Sequence, residues 1–118
     1  MGDAQSYLPL RPRVFHVLLA LSQESQHGYG LKKSIRERTA GAVNLDPGGL
    51  YRLVARLEED GLIKPASPPP ELDADDPRRL YYALTDLGRR VLRAEARRLS
   101  DVASWADVVA LAGNEGPS

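Results

Sequence analysis

The chain of 118 residues contains no cysteine, which excludes a disulfide framework, a thiolate metal site and a cysteine nucleophile. Its two histidines, His16 and His27, are too few and wrongly spaced for a metal site, so we expect no metal or other cofactor. We expect His16 to be a core or interface residue with a satisfied hydrogen bond. Because the sequence also lacks a basic signal-peptide segment and an apolar run of roughly 18 residues, we expect a cytoplasmic protein without a membrane partner.

The chain also has no net charge, because 16 basic residues balance 16 acidic ones. Nucleic-acid-binding proteins often have an excess of basic residues, so the net charge alone does not favour that class of protein. The charge distribution is uneven, however. Residues 11–56 contain only three acidic side chains but the basic ones Arg11, Arg13, Lys32, Lys33, Arg36, Arg38, Arg52 and Arg56. The sequence therefore allows a basic face on a neutral protein.

Hydrophobic periodicity predicts three helices in the first half of the chain. Residues 13–22 are apolar nearly all round, which is typical of a buried helix. A second helix starts at His27 and ends at Gly41. A third has Asp46 as its N-cap and Pro47 at its first helical position, a favourable pairing. Its predicted buried stripe consists of Leu50, Leu53, Val54 and Leu57.

A hairpin and a long helix follow. Strands at 62–67 and 78–85 enclose the proline-rich, acidic loop 67–77. In the second strand we expect Tyr81 to point outward and the residues Leu80, Tyr82 and Leu84 to point inward. Three helices followed by a hairpin form a winged helix-turn-helix, so the predicted fold class is mainly α with a small β-hairpin.

The last predicted helix, 86–113, is capped by Thr85 and has small and apolar residues at heptad-like spacings, as in a coiled-coil seam. We expect it to form a dimer interface through Leu92, Ala96, Leu99, Val102, Ala103, Trp105, Ala106, Val109 and Ala110. The predicted organisation is a flexible arm (1–10), a winged helix-turn-helix domain (11–85), a dimerisation helix (86–113) and a disordered tail (114–118).

Four segments, in this order, resemble the PadR family of bacterial transcriptional regulators, in its short form with one helix after the wing. They are LLAL (18–21), HGYGLKKSI (27–35), PGGLYRLVARLEEDGLI (47–63) and RRLYYALTDLGRRVL (78–92). The resemblance implies a homodimer that represses transcription by binding near-palindromic promoter DNA. It also implies release by a small aromatic or lipophilic ligand, and control of an efflux or detoxification gene, sometimes together with the regulator's own gene.

With this resemblance, the second and third helices and the base of the wing are the predicted DNA contacts. The residues are His27, Tyr29, Lys32, Lys33, Gly48, Gly49, Tyr51, Arg52, Arg56, Arg78 and Arg79. Free N–H groups at a helix N-terminus bind phosphate, and arginine pairs with guanine in the major groove. Lysines on the second helix would add affinity that does not depend on sequence.

Simpler alternatives stay open for several of these residues. Gly48 and Gly49 also fit a plain turn, and Arg52 and Arg56 a solvated pair. Trp105 either packs the dimer interface or lines an effector pocket, which Phe15 could join. For the whole protein, the alternative is a winged-helix protein-interaction module without DNA binding. An enzyme is disfavoured, because no nucleophile is paired with a base and no carboxylate pair lies in a cleft.

Overall fold

The structure, a computed structural model, describes residues 3–68 and 80–113. It is mainly helical with a small antiparallel sheet, which confirms the predicted fold class. The elements are a 3-10 helix (Ala4–Tyr7), α1 (Pro12–Gln23), β1 (Gln26–His27), α2 (Gly28–Arg38), α3 (Pro47–Glu59), β2 (Ile63–Ala66), β3 (Tyr81–Leu84), α4 (Asp86–Ser104) and α5 (Ala106–Gly113). None of the helices within the described ranges combines the length and hydropathy needed to cross a bilayer.

One hydrophobic core joins α1, α2, α3, the sheet and the first half of α4. Its members are Val17, Leu18, Ala20, Leu21, Leu31, Ile35, Leu45, Leu50, Val54, Leu57, Leu62, Ile63, Leu84, Val91 and Leu92. Each fully buried leucine or isoleucine stabilises the fold by about 1.5–3 kcal/mol relative to an exposed one. The buried stripe predicted for α3 is confirmed, except that Leu53 is only half-buried.

The second helix ends at Arg38, earlier than the predicted end at Gly41. The Thr39 hydroxyl donates to the Ile35 carbonyl at 2.8 Å and accepts the Val43 N–H at 3.0 Å, so the chain turns sooner. Gly41 still contributes to the stop, because its φ is +84° and its N–H donates to the Arg36 carbonyl at 2.8 Å. The C-terminal glycine therefore closes the turn after the helix instead of ending the helix itself.

Three antiparallel strands form the sheet, in the order β1-β3-β2. The predicted hairpin is present with shorter strands, and Ile63 pairs with Leu84. The tip of its loop lies outside the described residues. No sequence pattern indicated β1, whose two residues pair with the second edge of β3, with His27 opposite Tyr81.

The predicted inward and outward positions around β3 are wrong at two residues. Leu80, expected inside, is 66% exposed, and Tyr81, expected outside, is only 8% exposed. The His27 ring packs edge-on against the Tyr81 ring, with centroids 5.2 Å apart. A strand with neighbours on both edges has contacts that a two-residue repeat cannot predict.

The helix α4 starts in close contact with the end of α3 and the start of β2. Thr85 caps it as predicted, since the Thr85 hydroxyl accepts the Gly88 N–H at 2.9 Å and donates to the Gly61 carbonyl at 2.6 Å. Gly88 lies against the backbone of Leu62, and a methyl group there would overlap the Leu62 carbonyl oxygen. Gly88 is therefore a glycine because two backbones meet at this point.

The predicted single helix from 86 to 113 is wrong, because it breaks at Trp105, which is extended (φ −63°, ψ 137°). Polar groups around the break bond locally. The Ser104 hydroxyl donates to the Asp101 carbonyl at 2.7 Å, and the Asp107 carboxylate accepts the Val108 N–H at 3.0 Å. Such side chains offer the backbone alternatives to the helical hydrogen bonds.

Residues 3–10, expected to be part of a flexible arm, pack instead against α4. Tyr7 and Leu8 contact the core, and the Leu10 N–H donates to the Glu95 carboxylate at 2.9 Å. Glu95 is only 2% exposed and also accepts two hydrogen bonds from Arg98, at 2.6 and 3.0 Å. A buried carboxylate thus ties the N-terminal segment to α4. The tail 114–118 lies outside the described residues.

Candidate nucleic-acid interface

The N-terminal ends of α2 and α3 enclose a groove of about 190 Å³, which we call the tyrosine groove. Its lining residues are Gly28, Tyr29, Lys32, Pro47, Leu50 and Tyr51. Tyr29 and Tyr51 are 68% and 70% exposed, unusually high values for aromatic residues. Their hydroxyls and the Lys32 ammonium can all donate hydrogen bonds to an external anion. The structure therefore brings together three of the predicted DNA contacts.

His27 has a structural role that accounts for its position. Its Nδ1 accepts the Gly30 N–H at 3.2 Å, which caps α2. Its ring packs against Tyr81 in the sheet, so it joins the start of α2 to the wing. Lys33 lies farther along α2, exposed to solvent.

The two glycines at the start of α3 have a local explanation. The Asp46 carboxylate caps α3 by accepting the Gly49 N–H at 3.0 Å. A Cβ atom on residue 49 would lie 2.8 Å from Asp46 Oδ1, closer than real Cβ contacts. At Gly48 the nearest contact would be Arg52 Nη1, at 3.3 Å. A glycine at position 49 therefore leaves room for the capping carboxylate of Asp46, and the Gly49 N–H already donates its hydrogen bond to that carboxylate.

A hydrogen bond and two nearby arginines act on the capping carboxylate. The hydrogen bond from Gly49, followed by the nearby charges of Arg52 and Arg13, lowers the pKa of Asp46 below its ordinary value. Asp46 therefore stays ionised at neutral pH. Its negative charge offsets part of the positive charge that Arg52 presents on the exposed side of α3.

Arg56 differs from Arg52 in having an acidic neighbour. Arg56 Nε lies 3.6 Å from Asp60 Oδ2, one turn later on α3. The Arg56 side chain is 72% exposed, and an exposed pair of this kind contributes little to stability. Arg56 can therefore exchange this partner for another at little cost. Arg78 and Arg79, predicted at the base of the wing, lie outside the described residues.

A larger groove of about 740 Å³, which we call the arginine groove, lies between the start of α1 and α3. It is lined by Arg11, Pro12, Arg13, Val14, Ala42, Val43, Asn44, Gly49, Arg52 and Leu53. Arg11 and Arg13 belong to the basic residues noted in the sequence, but neither was predicted to lie in a site. The signal available was their position, on either side of the proline that begins α1.

Along α4 and α5, most residues of the predicted dimer seam are exposed. The exposed ones are Ala96, Leu99, Ala103, Trp105, Ala106, Val109 and Ala110, while Val102 is half-buried. Leu92 differs, because it lies in the core of its own chain, 7% exposed. Glu95, also on α4, was not among the predicted residues. Its position four residues after buried Val91 was the signal.

The proposed effector residues lie in different surroundings. Trp105 is 54% exposed at the break between α4 and α5. Phe15 is half-buried on α1 and contacts the His16 ring edge-on, with centroids 5.4 Å apart. Neither lines the tyrosine groove or the arginine groove. His16 Nδ1 is buried without a hydrogen-bond partner among the described residues, contrary to the expected satisfied hydrogen bond.

Residues 17–94 match the family described as "Transcriptional regulator PadR-like family". The chain belongs to this family. Its fold, with helices α2 and α3 beside a wing, is that of a DNA-binding transcriptional regulator, and the family consists of regulators rather than enzymes. Within residues 3–68 and 80–113, no group of three or more histidine, aspartate or glutamate side chains is placed to hold a metal ion.

Solved structures share the PadR-like fold over nearly the whole chain. The RosR structure from H. salinarum grown from NaBr has 25% identity and a TM-score of 0.63, and the match covers 91% of this chain and 90% of RosR. A complex structure, hsRosR-S4, has 26% identity and a TM-score of 0.68, covering 94% and 90% of the two chains. A PadR-like transcriptional regulator from Bacillus cereus has 24% identity and the same fold, with a TM-score of 0.68 and 94% and 96% coverage.

One curated relative is similar in sequence over much of the PadR-like chain. It is an uncharacterized 37.1 kDa protein in transposon TN4556 of Streptomyces fradiae, 34% identical over 84 residues. The match covers 71% of this chain and 22% of the relative. The chain therefore spans about a fifth of the length of that protein.

Proposed function

We propose that this PadR-like regulator is a homodimeric repressor that binds near-palindromic double-stranded DNA. The observation that carries this proposal is the tyrosine groove between the starts of α2 and α3, which is lined by the exposed rings of Tyr29 and Tyr51 and by Lys32. Hydroxyl and ammonium groups donate to phosphate oxygens and so fix the register of a protein on DNA. Arg52 then lies on the exposed face of α3, the face that would enter the major groove.

A mobility-shift assay tests DNA recognition. We expect DNA from upstream of the protein's own gene to bind more tightly than mixed-sequence DNA at physiological salt. Arg52→Ala should weaken binding and relax specificity, whereas Lys33→Ala should weaken all sequences about equally. Equal binding of upstream and mixed-sequence DNA would contradict the proposal.

The second candidate is a winged-helix module that binds another protein. The zero net charge of the chain and the carboxylates of Asp46 and Glu59, exposed on α3, favour it. It would be supported if the protein bound neither upstream nor mixed-sequence DNA even at low salt, where phosphate contacts are strongest.

Dimerisation is proposed through α4 and α5, with a second copy of the chain as the partner. Large apolar side chains are exposed there: Leu99 (40%), Trp105 (54%), Val109 (53%) and Leu111 (74%). A symmetric dimer would contact two half-sites separated by roughly 10 base pairs, one turn of the double helix.

Sedimentation equilibrium tests the dimer. We expect the wild-type chain to sediment as a dimer and Val109→Glu as a monomer, because a charge would be buried against the partner. Leu80→Glu is the matched control, since Leu80 is also an exposed apolar residue (66%, against 53% for Val109) but is located on the wing. A monomeric wild-type protein, or a dimeric Val109→Glu variant, would contradict this interface.

We further propose that a small aromatic or lipophilic effector releases the DNA, and that the regulated gene encodes an efflux or detoxification protein. The exposed ring of Trp105 supports an effector pocket at the dimer, to which Phe15 could contribute. Titration with a panel of aromatic compounds should quench Trp105 fluorescence and release DNA over the same concentration range. Quenching without DNA release would contradict the proposed role of the effector.

A further inference from the structure

The arginine groove contains two arginines, Arg11 and Arg13, that the contacts described so far do not use. Arg11 and Arg13 are exposed on either side of Pro12, and Arg52 approaches from α3. Among residues 3–68 and 80–113, neither Arg11 nor Arg13 forms an ion pair, in contrast to Arg56 and Arg98. These side chains are therefore available to an external anion.

The nearest acidic group does not neutralise this groove. Asp46 lies close enough for its charge to interact with those of Arg13 and Arg52. Its carboxylate is held by the Gly49 N–H as the cap of α3. Three guanidinium groups thus face one carboxylate, which leaves a net positive charge along the groove.

The two grooves lie on opposite flanks of α3. Pro47, Leu50 and Tyr51 border the tyrosine groove, whereas Gly49 and two further residues of α3, Arg52 and Leu53, border the arginine groove. With 3.6 residues per turn, side chains two positions apart, such as Tyr51 and Leu53, are separated by about 200° around the helix. The exposed face of α3 therefore has a cationic groove on each side.

This arrangement matches the geometry of a helix in the major groove of DNA. The major groove is about 12 Å wide and is bordered on each side by a sugar-phosphate strand. A helix that enters it thus meets phosphates on both flanks. The walls of the arginine groove also include apolar side chains, Val14, Val43 and Leu53, against which sugar edges can pack.

We propose that the arginine groove binds the DNA strand opposite the one that contacts the tyrosine groove, with Arg11 and Arg13 contacting its phosphates beside Arg52. The start of α1 thereby becomes part of the DNA interface. This inference rests on the DNA-binding function, and it adds a second backbone contact to the one formed by Tyr29, Lys32 and Tyr51.

The test is the salt dependence of binding to a mixed-sequence duplex, since phosphate contacts do not depend on sequence. A double variant, Arg11→Ala with Arg13→Ala, is compared with the wild-type protein by fluorescence anisotropy over a KCl series. Each phosphate contact contributes about 0.9 to the slope of log affinity against log salt concentration, so the slope should fall by about 2. Arg93→Ala with Arg97→Ala is the matched control, because these exposed arginines lie on α4 and line a different groove.

Two further variants separate charge from structural damage. Arg11→Lys with Arg13→Lys should keep the wild-type slope, since lysine also neutralises a phosphate. Arg13→Gln alone should lower the slope by about 1.

The proposal is overturned if the wild-type protein binds the duplex but the double alanine variant keeps the same slope. It is also overturned if the control pair on α4 lowers the slope equally, because the change would then depend on the total charge of the protein and not on the position of the arginines. If the wild-type protein binds no duplex at any salt concentration, the DNA-binding function itself fails, and this inference fails with it.

Discussion

The contact between Gly88 and Leu62 leads to a prediction about stability. In Gly88→Ala, the new methyl group would overlap the Leu62 carbonyl oxygen and lie 3.0 Å from its carbonyl carbon. That carbonyl cannot rotate away, because it accepts the Thr85 N–H at 3.1 Å. The start of α4 must therefore move, although the Thr85 hydroxyl holds it through the Gly88 N–H.

The expected cost follows from these contacts. Inserting a methyl group into a filled site costs about 1–3 kcal/mol. Displacing α4 also weakens the Thr85 cap and the hydrogen bond to Leu62, each worth about 1 kcal/mol. Alanine offsets up to about 1 kcal/mol through its higher helix propensity. We expect Gly88→Ala to lower the free energy of unfolding by about 2–4 kcal/mol, a large part of the total for a domain of this size.

Urea denaturation followed by far-ultraviolet circular dichroism measures this change. Gly113→Ala is the matched control, because a methyl group there has no atom within 4 Å. Its free energy of unfolding should stay within about 0.5 kcal/mol of the wild-type value. If Gly88→Ala also stays within that range, α4 can move away from Leu62 without loss, and the reasoning from backbone contact is refuted.

Two further predictions concern the caps and the buried carboxylate. When Gly49→Ala is added to the Asp46→Ala variant, it should raise the free energy of unfolding by up to about 1 kcal/mol. In the wild-type protein it should give no such gain, because the methyl group displaces the capping carboxylate. Equal gains in the two backgrounds, measured by urea denaturation, would exclude this explanation. Glu95→Gln should lower the free energy of unfolding by about 1–2 kcal/mol at neutral pH, since charged hydrogen bonds become neutral ones. The hydrogen bond from Arg98, assisted by that from Leu10, lowers the pKa of Glu95 below its ordinary 4.5, so its contribution is complete above that pH and is lost as pH falls through the lower folded value. The difference in the free energy of unfolding between Glu95→Gln and the wild-type protein should therefore shrink in acid. If this difference does not change with pH, the negative charge of Glu95 is not its cause.

The parts of the fold that the sequence predicted correctly depend on residues near one another in the chain. Asp46 and Pro47 specify the start of α3 because a cap acts within one helical turn. The apolar stripe of α3 likewise follows from a repeat of 3.6 residues. Two residues of the tyrosine groove were predicted as DNA contacts, Tyr51 because it follows inward-facing Leu50 and Tyr29 because it lies at the start of the second helix.

The features that were missed depend on contacts between distant segments. Glu95 accepts a hydrogen bond from Leu10, 85 positions away, and no local pattern shows that partner. The strand β1 has only two residues and exists because β3 provides an edge for it. Gly49 belongs to a different case. The roles of its neighbours Asp46 and Pro47 were predicted correctly. The short distance between a Cβ atom at position 49 and the Asp46 carboxylate, however, cannot be inferred from residue types.

The break at Trp105 shows how a correct periodicity can predict the wrong element. Apolar residues continue in helical phase through the break, so the pattern favours one helix from 86 to 113. Periodicity reports which side chains share a face, but not whether every backbone N–H has a carbonyl four residues earlier. At Trp105 the N–H donates to Val102, three residues earlier, and the helix restarts when the Val109 N–H donates to the Trp105 carbonyl at 2.9 Å. The change of direction gives α5 its own orientation relative to α4. The proposed dimer surface therefore consists of two short faces that meet at an exposed tryptophan, whereas one unbroken helix would have presented a single continuous face.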